Sequence, residues 1–439
     1  MESARSIAYK ILLDAVRRST YSNIALDREL SVSEMSSADK ALCSVIVLGV
    51  TERALTLDAI IDSLASRPDE IEDEARVLLR MGIYQIEFLD RIPDHAAVNE
   101  TVSLAPRRIR GFVNAILRSF LRAKEKGEID RLFPDKDGDP LGYLSLKYSF
   151  PIDVCREFCS IYGFERTCAI FEIFNRAPKM TLRVNTLKIS REDYAKLLDG
   201  CGISYELSGR LENAILLDSV NYSSLPGACE GYFFVQDEAS QICVEALGAE
   251  AGELVIDTCS CPGSKSFGSA IRMKNLGEIR SFDLHKSKLS LIEKGAERLG
   301  IDIIRAEERD GCKPDESLFG MADRVLCDVP CSGLGVIAKK PEIRYKDIEE
   351  FSRLPEIQYA ILSASAKYVK RGGYLVYSTC TVLPRENCEN VKRFLDEHGE
   401  FEAVDFEVGG KRSEAGMLSL SPDSDLCDGF FVAKMKRKE

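Results

Sequence analysis

Residues 324–333 read RVLCDVPCSG, and residues 374–381 read YLVYSTCT. Each stretch is a short apolar run, typical of a buried strand, with a cysteine a few residues after it. Reacting groups in an open α/β sheet collect at the carboxyl ends of strands, so we expect Cys331 and Cys380 to project into one crevice. The alternative is that both thiols are small core side chains, which free cysteines often are. For Cys327, inside the apolar run, we expect that packing role.

The sequence around these stretches alternates between strand-like and helix-like segments from Tyr232 onward. The predicted strands are Leu254–Asp257, Ile279–Asp283, Ile301–Arg305, Arg324–Cys327, Tyr374–Tyr377 and Phe430–Lys434. Helical periodicity between them, as in Lys286–Leu299, predicts an α/β domain with a Rossmann-like, doubly wound parallel sheet. We expect the last strand to be antiparallel.

The rest of the chain follows other patterns. Residues 1–126 repeat apolar positions at helical spacing, which predicts an all-α domain. Residues 127–141, rich in Asp, Gly and Pro, are expected to be a linker. A smaller α+β segment is predicted over 142–231, with strands at Met180–Asn185 and Ile215–Leu217. The α/β domain would then span 232–439.

Composition narrows the class of protein. The 439 residues carry a formal charge of −12, which argues against a generic, charge-driven nucleic-acid binder. We find no eighteen-residue apolar stretch and no signal peptide, so we expect a cytoplasmic protein with no membrane partner. The 15 cysteines are an odd number scattered through a long chain, which favours reduced thiols. With three histidines and no paired CxxC, no metal site is expected.

A small-residue loop follows the first predicted strand of the α/β domain: residues 254–266 read LVIDTCSCPGSKS. Such a loop lets a ligand approach the backbone and the amino end of the next helix. The GxGxxG fingerprint is absent, which argues against NAD. Asp283 ends the next strand, where an acid commonly binds ribose hydroxyls, and Asp310 follows the third strand and either contacts a base or lies on the surface. Ordinary turn chemistry is the alternative explanation for this loop.

A basic cluster lies between two helical stretches of the first domain, against a single acid, Glu125. It is a candidate for binding nucleic-acid phosphates, and the alternative is a solvated helix face. Its members are Arg107, Arg108, Arg110, Arg118, Arg122, Lys124 and Lys126.

Taken together, the motifs resemble those of the Sun/Nol1/Nop2 family of RNA cytosine-5 methyltransferases, most closely the bacterial 16S ribosomal RNA enzymes of the Fmu/RsmB type. Residues 92–100 (IPDHAAVNE) and 111–118 (GFVNAILR) are similar to that family's NusB-like RNA-binding domain. Residues 182–186 (LRVNT) and 235–241 (VQDEASQ) resemble its pre-catalytic segment and the entry to its methyltransferase domain. Residues 428–434 (DGFFVAK) resemble its closing strand.

The resemblance implies a ligand and roles for named residues. Cys380 would be the nucleophile that adds to carbon 6 of a cytosine, and Cys331 would assist proton removal from carbon 5. Asp328 would hydrogen-bond the ring, and Lys265 would contact the substrate or lower the pKa of a thiol. DNA cytosine methyltransferases instead use the Pro-Cys thiol as nucleophile, which would favour Cys331. The S-adenosyl-L-methionine site would comprise Cys259, Ser260, Cys261, Pro262, Gly263, Ser264, Lys265, Asp283, Asp310 and Asp328.

Some positions depart from the family pattern. Ser264 and Ser266 replace a glycine and a threonine of the cofactor loop, and Cys261 replaces a common alanine. If position 264 requires a positive φ, serine there costs about 1 kcal/mol and weakens cofactor binding. Lys339, Lys340 and Tyr345 stand where relatives carry arginines and a tryptophan, which bears on the substrate contacts.

The implied function is methylation of one cytosine of 16S ribosomal RNA by a monomeric enzyme. A target base must leave its stack to meet the thiols, so single-stranded or loop RNA is the expected substrate. A transfer-RNA substrate is one alternative, because relatives with different RNAs share the catalytic motifs. A non-catalytic RNA-binding ribosome-assembly factor on the same scaffold is another.

Overall fold

The structure is a computed structural model that describes residues 3–18, 22–218 and 222–439. Residues 1–2, 19–21 and 219–221 of the predicted ranges lie outside the described residues. Two compact units are present. The first comprises Met1–Arg176 and Ile337–Ile348, and the second comprises Ala177–Val336 and Glu349–Glu439. None of the described helices is long and apolar enough to cross a membrane.

The first unit is built of helices. They are α1 (Ala4–Arg18), α2 (Ser22–Val32), α3 (Ser37–Glu52), α4 (Ala54–Leu64), α5 (Asp73–Phe88), α6 (Asp94–Leu104), α7 (Arg107–Glu125), α8 (Pro140–Tyr148), α9 (Ile152–Tyr162) and α10 (Phe164–Phe174). Helix α7 shows why the sequence folds this way: Ile109, Val113, Ile116, Leu117 and Phe120 recur at helical spacing and are buried. The prediction of an all-α amino-terminal domain is confirmed.

The segment Ile337–Ile348 is remote in sequence from these helices and nevertheless belongs to the first unit. Its anchor is Arg344, which is fully buried with its guanidinium 4.3 Å from the ring centroid of Phe150. Arg344 donates to the carbonyl oxygen of Glu52 (3.0 Å) and to Oδ1 of Asn175 (2.9 Å). Burial lowers the pKa of Arg344 to about 10. This segment follows the Cys331 motif directly in the chain.

The second unit begins with a small antiparallel sheet and one helix over its core. The elements are β1 (Met180–Val184), α11 (Arg191–Gly200), β2 (Glu206–Leu207), β3 (Ala214–Leu217) and β4 (Phe233–Val235), in the strand order β2-β3-β1-β4. Leu182, Val184, Tyr194 and Phe233 are fully buried between sheet and helix. The prediction of a small α+β segment is confirmed, whereas its boundaries at 142 and 231 remain predictions.

The remainder of the second unit is the α/β fold. Its elements are α12 (Glu238–Leu247), β5 (Leu254–Asp257), α13 (Ser264–Arg272), β6 (Glu278–Asp283), α14 (Lys286–Leu299), β7 (Ile304–Glu308), β8 (Ala322–Asp328), α15 (Leu354–Ala366), β9 (Val369–Thr379), α16 (Cys388–Glu397), β10 (Phe401–Ala403), β11 (Glu407–Val408), β12 (Lys411–Arg412), β13 (Met417–Leu420), α17 (Pro422–Asp425) and β14 (Phe430–Arg437). The main sheet has the order β10-β14-β9-β8-β5-β6-β7, and β13 pairs with β14.

Strands β9, β8, β5, β6 and β7 are parallel, and β14 is antiparallel to β9. Successive strand residues pack into different cores: Val255 packs with the helices α12, α13 and α14, and Ile256 packs on the opposite face with α15. This alternation covers both faces of the sheet with helices. The predicted doubly wound fold with an antiparallel closing strand is confirmed.

The third predicted strand is displaced along the sequence. The prediction placed it at Ile301–Arg305, whereas β7 begins at Ile304. Gly300 ends α14 in the left-handed conformation, and the amide of Ile301 donates to the carbonyl of Ala296. Ile301 is buried directly after this helix end and lies before the first residue of β7. An apolar residue after a helix was therefore wrongly assigned to the strand.

Candidate active site

The predicted site residues of the second unit lie around one edge of the parallel sheet. Strands β5, β6 and β8 end at Asp257, Asp283 and Asp328, and β9 ends at Thr379, next to Cys380. Because these strands are parallel and adjacent, their carboxyl ends share one edge. The sheet thus brings the cofactor-loop residues and both cysteine motifs together.

The two cysteines are in contact. Their Sγ atoms are 3.2 Å apart, neither cysteine is in a disulfide, and both are half-buried. Backbone hydrogen bonds join the two loops: the amide of Val329 donates to the carbonyl of Ser378, and that of Gly335 donates to the carbonyl of Cys380. The hydrogen bond to Cys380, burial, and the charge of Glu386 raise the pKa of the Cys331 thiol well above its usual value. The resting site therefore keeps Cys331 protonated.

Lys265 and Asp328 form a partly buried ion pair beside the thiols. Lys265 Nζ lies 2.6 Å from Asp328 Oδ2, and the Ser378 hydroxyl donates to Asp328 Oδ1 at 2.7 Å. Burial acts to lower the pKa of Lys265, but the charge of Asp328, together with Cys243 and Cys380, raises it above its usual value. The ammonium is therefore permanently charged, and its field favours a thiolate at Cys380.

The cofactor loop is a turn fastened to the neighbouring strand. The Ser260 amide and hydroxyl both donate to the carbonyl of Phe282, the penultimate residue of β6. Gly263 has a φ of 108°, and a Cβ there would lie 2.5 Å from the ring of Phe267. The left-handed residue of this loop is thus Gly263. Ser264 is the first residue of α13 and does not have a positive φ. The serine at this position therefore does not strain the loop.

Ser266 belongs to a buried series of hydrogen-bonded polar side chains that the sequence analysis did not predict. The Ser266 hydroxyl donates to Asp257 Oδ2 at 2.6 Å and accepts from the Ser281 hydroxyl at 2.8 Å. Asp257 is 1% exposed, and its Oδ1 has no hydrogen-bond partner among the described residues. Burial raises the pKa of Asp257 to about 7, against the effect of the Ser266 hydrogen bond. The position of Asp257 at the end of a buried strand was the available signal.

The two other predicted cofactor acids differ in their surroundings. Asp283 is half-buried at the end of β6 and accepts from the amide of His285 at 2.9 Å. Asp310 follows β7, accepts from the amide of Cys312, and lies 3.1 Å from Lys313 Nζ. These hydrogen bonds lower the pKa of Asp310. Carboxylates at these ends can accept from ribose hydroxyls or an exocyclic amine.

Glu386 is a second residue that sequence reasoning missed. Its side chain is fully buried, although it follows an ordinary turn sequence, Leu383-Pro384-Arg385. Glu386 Oε2 accepts from the amide of Ser332 (2.9 Å) and from Nε2 of Gln358 (2.7 Å). No sequence spacing predicts that this glutamate contacts the residues next to the two cysteines. Its contacts can be seen only in the folded structure.

Known proteins resemble this chain over its whole length. A protein of Bacillus subtilis (strain 168), named probable ribosomal RNA small subunit methyltransferase B, is 36% identical over 99% of both chains. The chain belongs to the family of small-subunit ribosomal RNA methyltransferases B. A Synechocystis relative of the same name is 35% identical over the full length of both proteins.

Family models and solved structures agree with this membership. Residues 244–436 match the model described as 16S rRNA methyltransferase RsmB/F, residues 2–122 match the NusB family, and residues 154–222 match a ferredoxin-like domain of RsmF/B-like methyltransferases. The crystal structure of a protein called PH0851 has a TM-score of 0.79 at 25% identity and covers 98% of each chain. A methyltransferase homolog from Pyrococcus horikoshii has a TM-score of 0.59 at 26% identity, over 67% of this chain and 97% of its own.

The predicted RNA-binding arginines lie on α7 of the first unit, and their surroundings differ. Arg107, Arg110, Arg118 and Arg122 are exposed and fall within one 120° arc of the helix, given 100° per residue. We call these four residues the arginine stripe. Arg108 points elsewhere and is paired with Glu72 and with Glu74 (2.6 Å). Lys124 is also engaged, donating to the carbonyl of Ile86.

The departures at 339–345 fall in the first unit. Lys339 and Lys340 are exposed. The Tyr345 hydroxyl donates to the carbonyl of Glu52 at 3.1 Å and lies 3.2 Å from Oγ of Ser149. Tyr345 therefore fastens the segment Ile337–Ile348 within its unit.

Proposed function

We propose that this protein transfers a methyl group from S-adenosyl-L-methionine to carbon 5 of a cytosine in 16S ribosomal RNA, through a covalent bond between Cys380 and the base. One observation carries the proposal: two reduced thiols lie 3.2 Å apart at the carboxyl ends of adjacent parallel strands, beside a buried ammonium. Family membership supplies the substrate class, since relatives named for small-subunit ribosomal RNA match the whole chain.

The chemistry explains why two thiols are needed. Carbon 5 of cytosine is a poor nucleophile until a thiolate adds to carbon 6. The Lys265 ammonium favours that thiolate at Cys380, and the Asp328 carboxylate can accept a hydrogen bond from the exocyclic amine of the base. A sulfur–carbon bond forms at carbon 6, and the electron pair that arrives at carbon 5 attacks an electrophilic methyl group.

Cys331 suits the second half of the reaction. Its hydrogen bond to Cys380 is the largest cause of its raised pKa. Once Cys380 is a neutral thioether bonded to carbon 6, that cause is removed and Cys331 can lose its proton to solvent. Its thiolate then accepts the proton from carbon 5, the carbon 6–sulfur bond breaks, and Cys380 leaves as a thiolate. The charges thus favour Cys380 as nucleophile and Cys331 as base.

The residues present fit S-adenosyl-L-methionine. Bound there, it would supply a methyl group on a positively charged sulfur. The loop Cys259–Lys265 leads into the amino end of α13, whose backbone amides can meet an anionic carboxylate. Asp283 and Asp310 can accept hydrogen bonds from ribose hydroxyls or the adenine amine. Lys265, the last residue of this loop, is paired with Asp328 at 2.6 Å.

The arginine stripe is proposed to bind RNA phosphates. The protein as a whole carries a charge of −12, so favourable contact with a polyanion requires a local basic surface. Arg108 is excluded from the stripe because Glu72 and Glu74 already neutralise it.

Adduct trapping tests the assignment of the two thiols. Cys331→Ala is expected to accumulate RNA bonded to Cys380, seen as a shifted band on a denaturing gel, because addition proceeds and release does not. Cys380→Ala should give no adduct. Cys388→Ala, a thiol on α16, serves as a matched control and should behave as the unmodified protein. Adduct formation by Cys380→Ala and not by Cys331→Ala would reverse the roles.

A further inference from the structure

Behind the two cysteine loops lies a buried carboxylate with no role so far. The residues that follow the two thiols, Ser332 and Thr381, both approach Glu386. The Ser332 amide donates to Oε2 at 2.9 Å, and the Thr381 hydroxyl lies 3.5 Å from Oε1. The two hydroxyls are themselves 2.7 Å apart. Glu386 therefore holds both loops at the position next to each thiol.

The same carboxylate is fixed from a third direction. Gln358, on α15, donates from Nε2 to Glu386 Oε2 at 2.7 Å and to the carbonyl of Pro330, the residue before Cys331, at 3.0 Å. The side-chain amide of Asn390, on α16, donates to Gln358 Oε1 at 3.3 Å. A carboxylate fully removed from water and accepting from three donors has a defined position.

The charge of Glu386 also distinguishes the two thiols. It opposes ionisation of Cys331, whereas the Lys265 ammonium interacts with Cys380. The other groups that face this pair are Asp328, which pairs with Lys265, and the Tyr377 hydroxyl, which donates to the Glu386 carbonyl. A negative charge on one side and a positive charge on the other give two adjacent thiols different protonation states.

We propose that Glu386 is a positioning residue for the two-thiol site: it fixes the distance between the cysteine loops, and its negative charge beside Cys331 adds to the preference for a thiolate at Cys380. This inference rests on the proposed function for its consequence in catalysis. Its physical content is a property of the free protein and can be measured without RNA or a methyl donor.

The direct test is the reactivity of Cys331 in a Cys380→Ala background, where the coupling to the second thiol is absent. Glu386→Gln removes the charge while the amide can keep all three contacts, accepting from Ser332 and Gln358 and donating to Thr381. Iodoacetamide alkylation of the Cys331 peptide, followed by mass spectrometry between pH 7 and 10, should be several-fold faster at pH 8 in Glu386→Gln. The two rates should approach each other only where the pH is high enough to ionise the Cys331 thiol in both proteins.

Glu389→Gln is the matched control, because this exposed glutamate lies three residues away on α16. It should leave the alkylation profile unchanged. An unchanged Cys331 profile in Glu386→Gln, or an equal change in Glu389→Gln, would overturn the proposal even if methylation occurs as proposed.

A second variant keeps the test decisive if Glu386→Gln does not fold. Thr381→Val removes the hydroxyl that bridges Ser332 and Glu386 and conserves the shape of the side chain. With RNA and S-adenosyl-L-methionine, kcat should fall about tenfold while KM for RNA stays within twofold, because loop positions change and binding groups do not. Full kcat in Thr381→Val would contradict the positioning role.

Discussion

Cys331 and Cys380 have the same functional group and opposite surroundings. One thiol faces the buried Glu386 carboxylate, and the other interacts with the Lys265 ammonium. Two interacting titratable groups lose their protons as a pair, and local charges decide which one ionises first. The roles assigned by resemblance and those favoured by the local charges are therefore the same, with Cys380 as nucleophile.

Asp257 gives a prediction about pH and stability. Its folded pKa, about 7, is above the ordinary value of 3.8, so the folded protein binds this proton more tightly than the unfolded chain. Its stabilising contribution is present below about pH 4 and is lost as the pH rises through about 7. We expect Asp257→Asn, which cannot ionise, to gain about 3 kcal/mol of stability relative to the unmodified protein between pH 4.5 and 7.5.

Urea unfolding of both proteins across that pH range measures the difference. Ser281→Ala, which removes a hydroxyl from the same polar chain without removing a charge, is the control and should show no such pH dependence. If the free energy of unfolding changes with pH in the same way for Asp257→Asn and the unmodified protein, the pKa of Asp257 is not raised in the folded state.

At the scale of elements, the turn from β5 into α13 depends on one glycine. Gly263 combines a φ of 108° with a site in which a Cβ would meet the Phe267 ring at 2.5 Å. We expect Gly263→Ala to destabilise the protein by about 2 kcal/mol and to weaken S-adenosyl-L-methionine binding, because the loop must move. Chemical unfolding and calorimetry provide the two measurements.

Gly111 supplies the contrasting control. It lies in the middle of α7, and a Cβ there would have nothing within 4 Å. Gly111→Ala should therefore stabilise its helix by about 1 kcal/mol. A Gly263→Ala protein as stable as Gly111→Ala, with unchanged cofactor affinity, would contradict the account of the loop.

Strands and cysteine motifs were predictable because their signals are local. An apolar run followed by a small-residue loop predicts β5 and its turn. A cysteine just after each of two other apolar runs predicts that both thiols lie at the carboxyl ends of strands. Glu386 and Asp257 were missed because their significance comes from contacts with residues distant in sequence, such as Ser332 and Ser281. The fold decides which charged side chains are buried, and the periodicity of apolar residues in the sequence does not indicate them.

For the whole molecule, the sequence predicted the fold class of each part better than it predicted which unit a segment distant in sequence belongs to. Helical and alternating periodicities indicated the all-α, α+β and α/β parts correctly. The segment Ile337–Ile348 follows the Cys331 motif in sequence and yet packs in the first unit through Arg344. A buried arginine reads in sequence as a surface charge, so periodicity could not show this.

Electrostatics at this scale give a prediction for RNA binding. Replacing Arg107, Arg118 and Arg122 with Gln should reduce the slope of log binding constant against log salt by about 2, because each lost phosphate contact removes about 0.7 to 0.9. The control replaces Arg17, Arg67 and Arg108, each of which is paired with a glutamate. It removes the same charge from the same unit and should change the slope little. Equal slopes in the two triple variants would remove the arginine stripe from the RNA-binding surface.

The central claim is methylation of carbon 5 of a cytosine in 16S ribosomal RNA, and bisulfite sequencing tests it most directly. RNA from cells that lack this gene would be sequenced before and after incubation with the purified protein and S-adenosyl-L-methionine. The account predicts one newly protected cytosine in small-subunit ribosomal RNA, and no protection with Cys380→Ala. Protection confined to transfer RNA would contradict the substrate, and no protection by folded, cofactor-bound protein would contradict the chemistry.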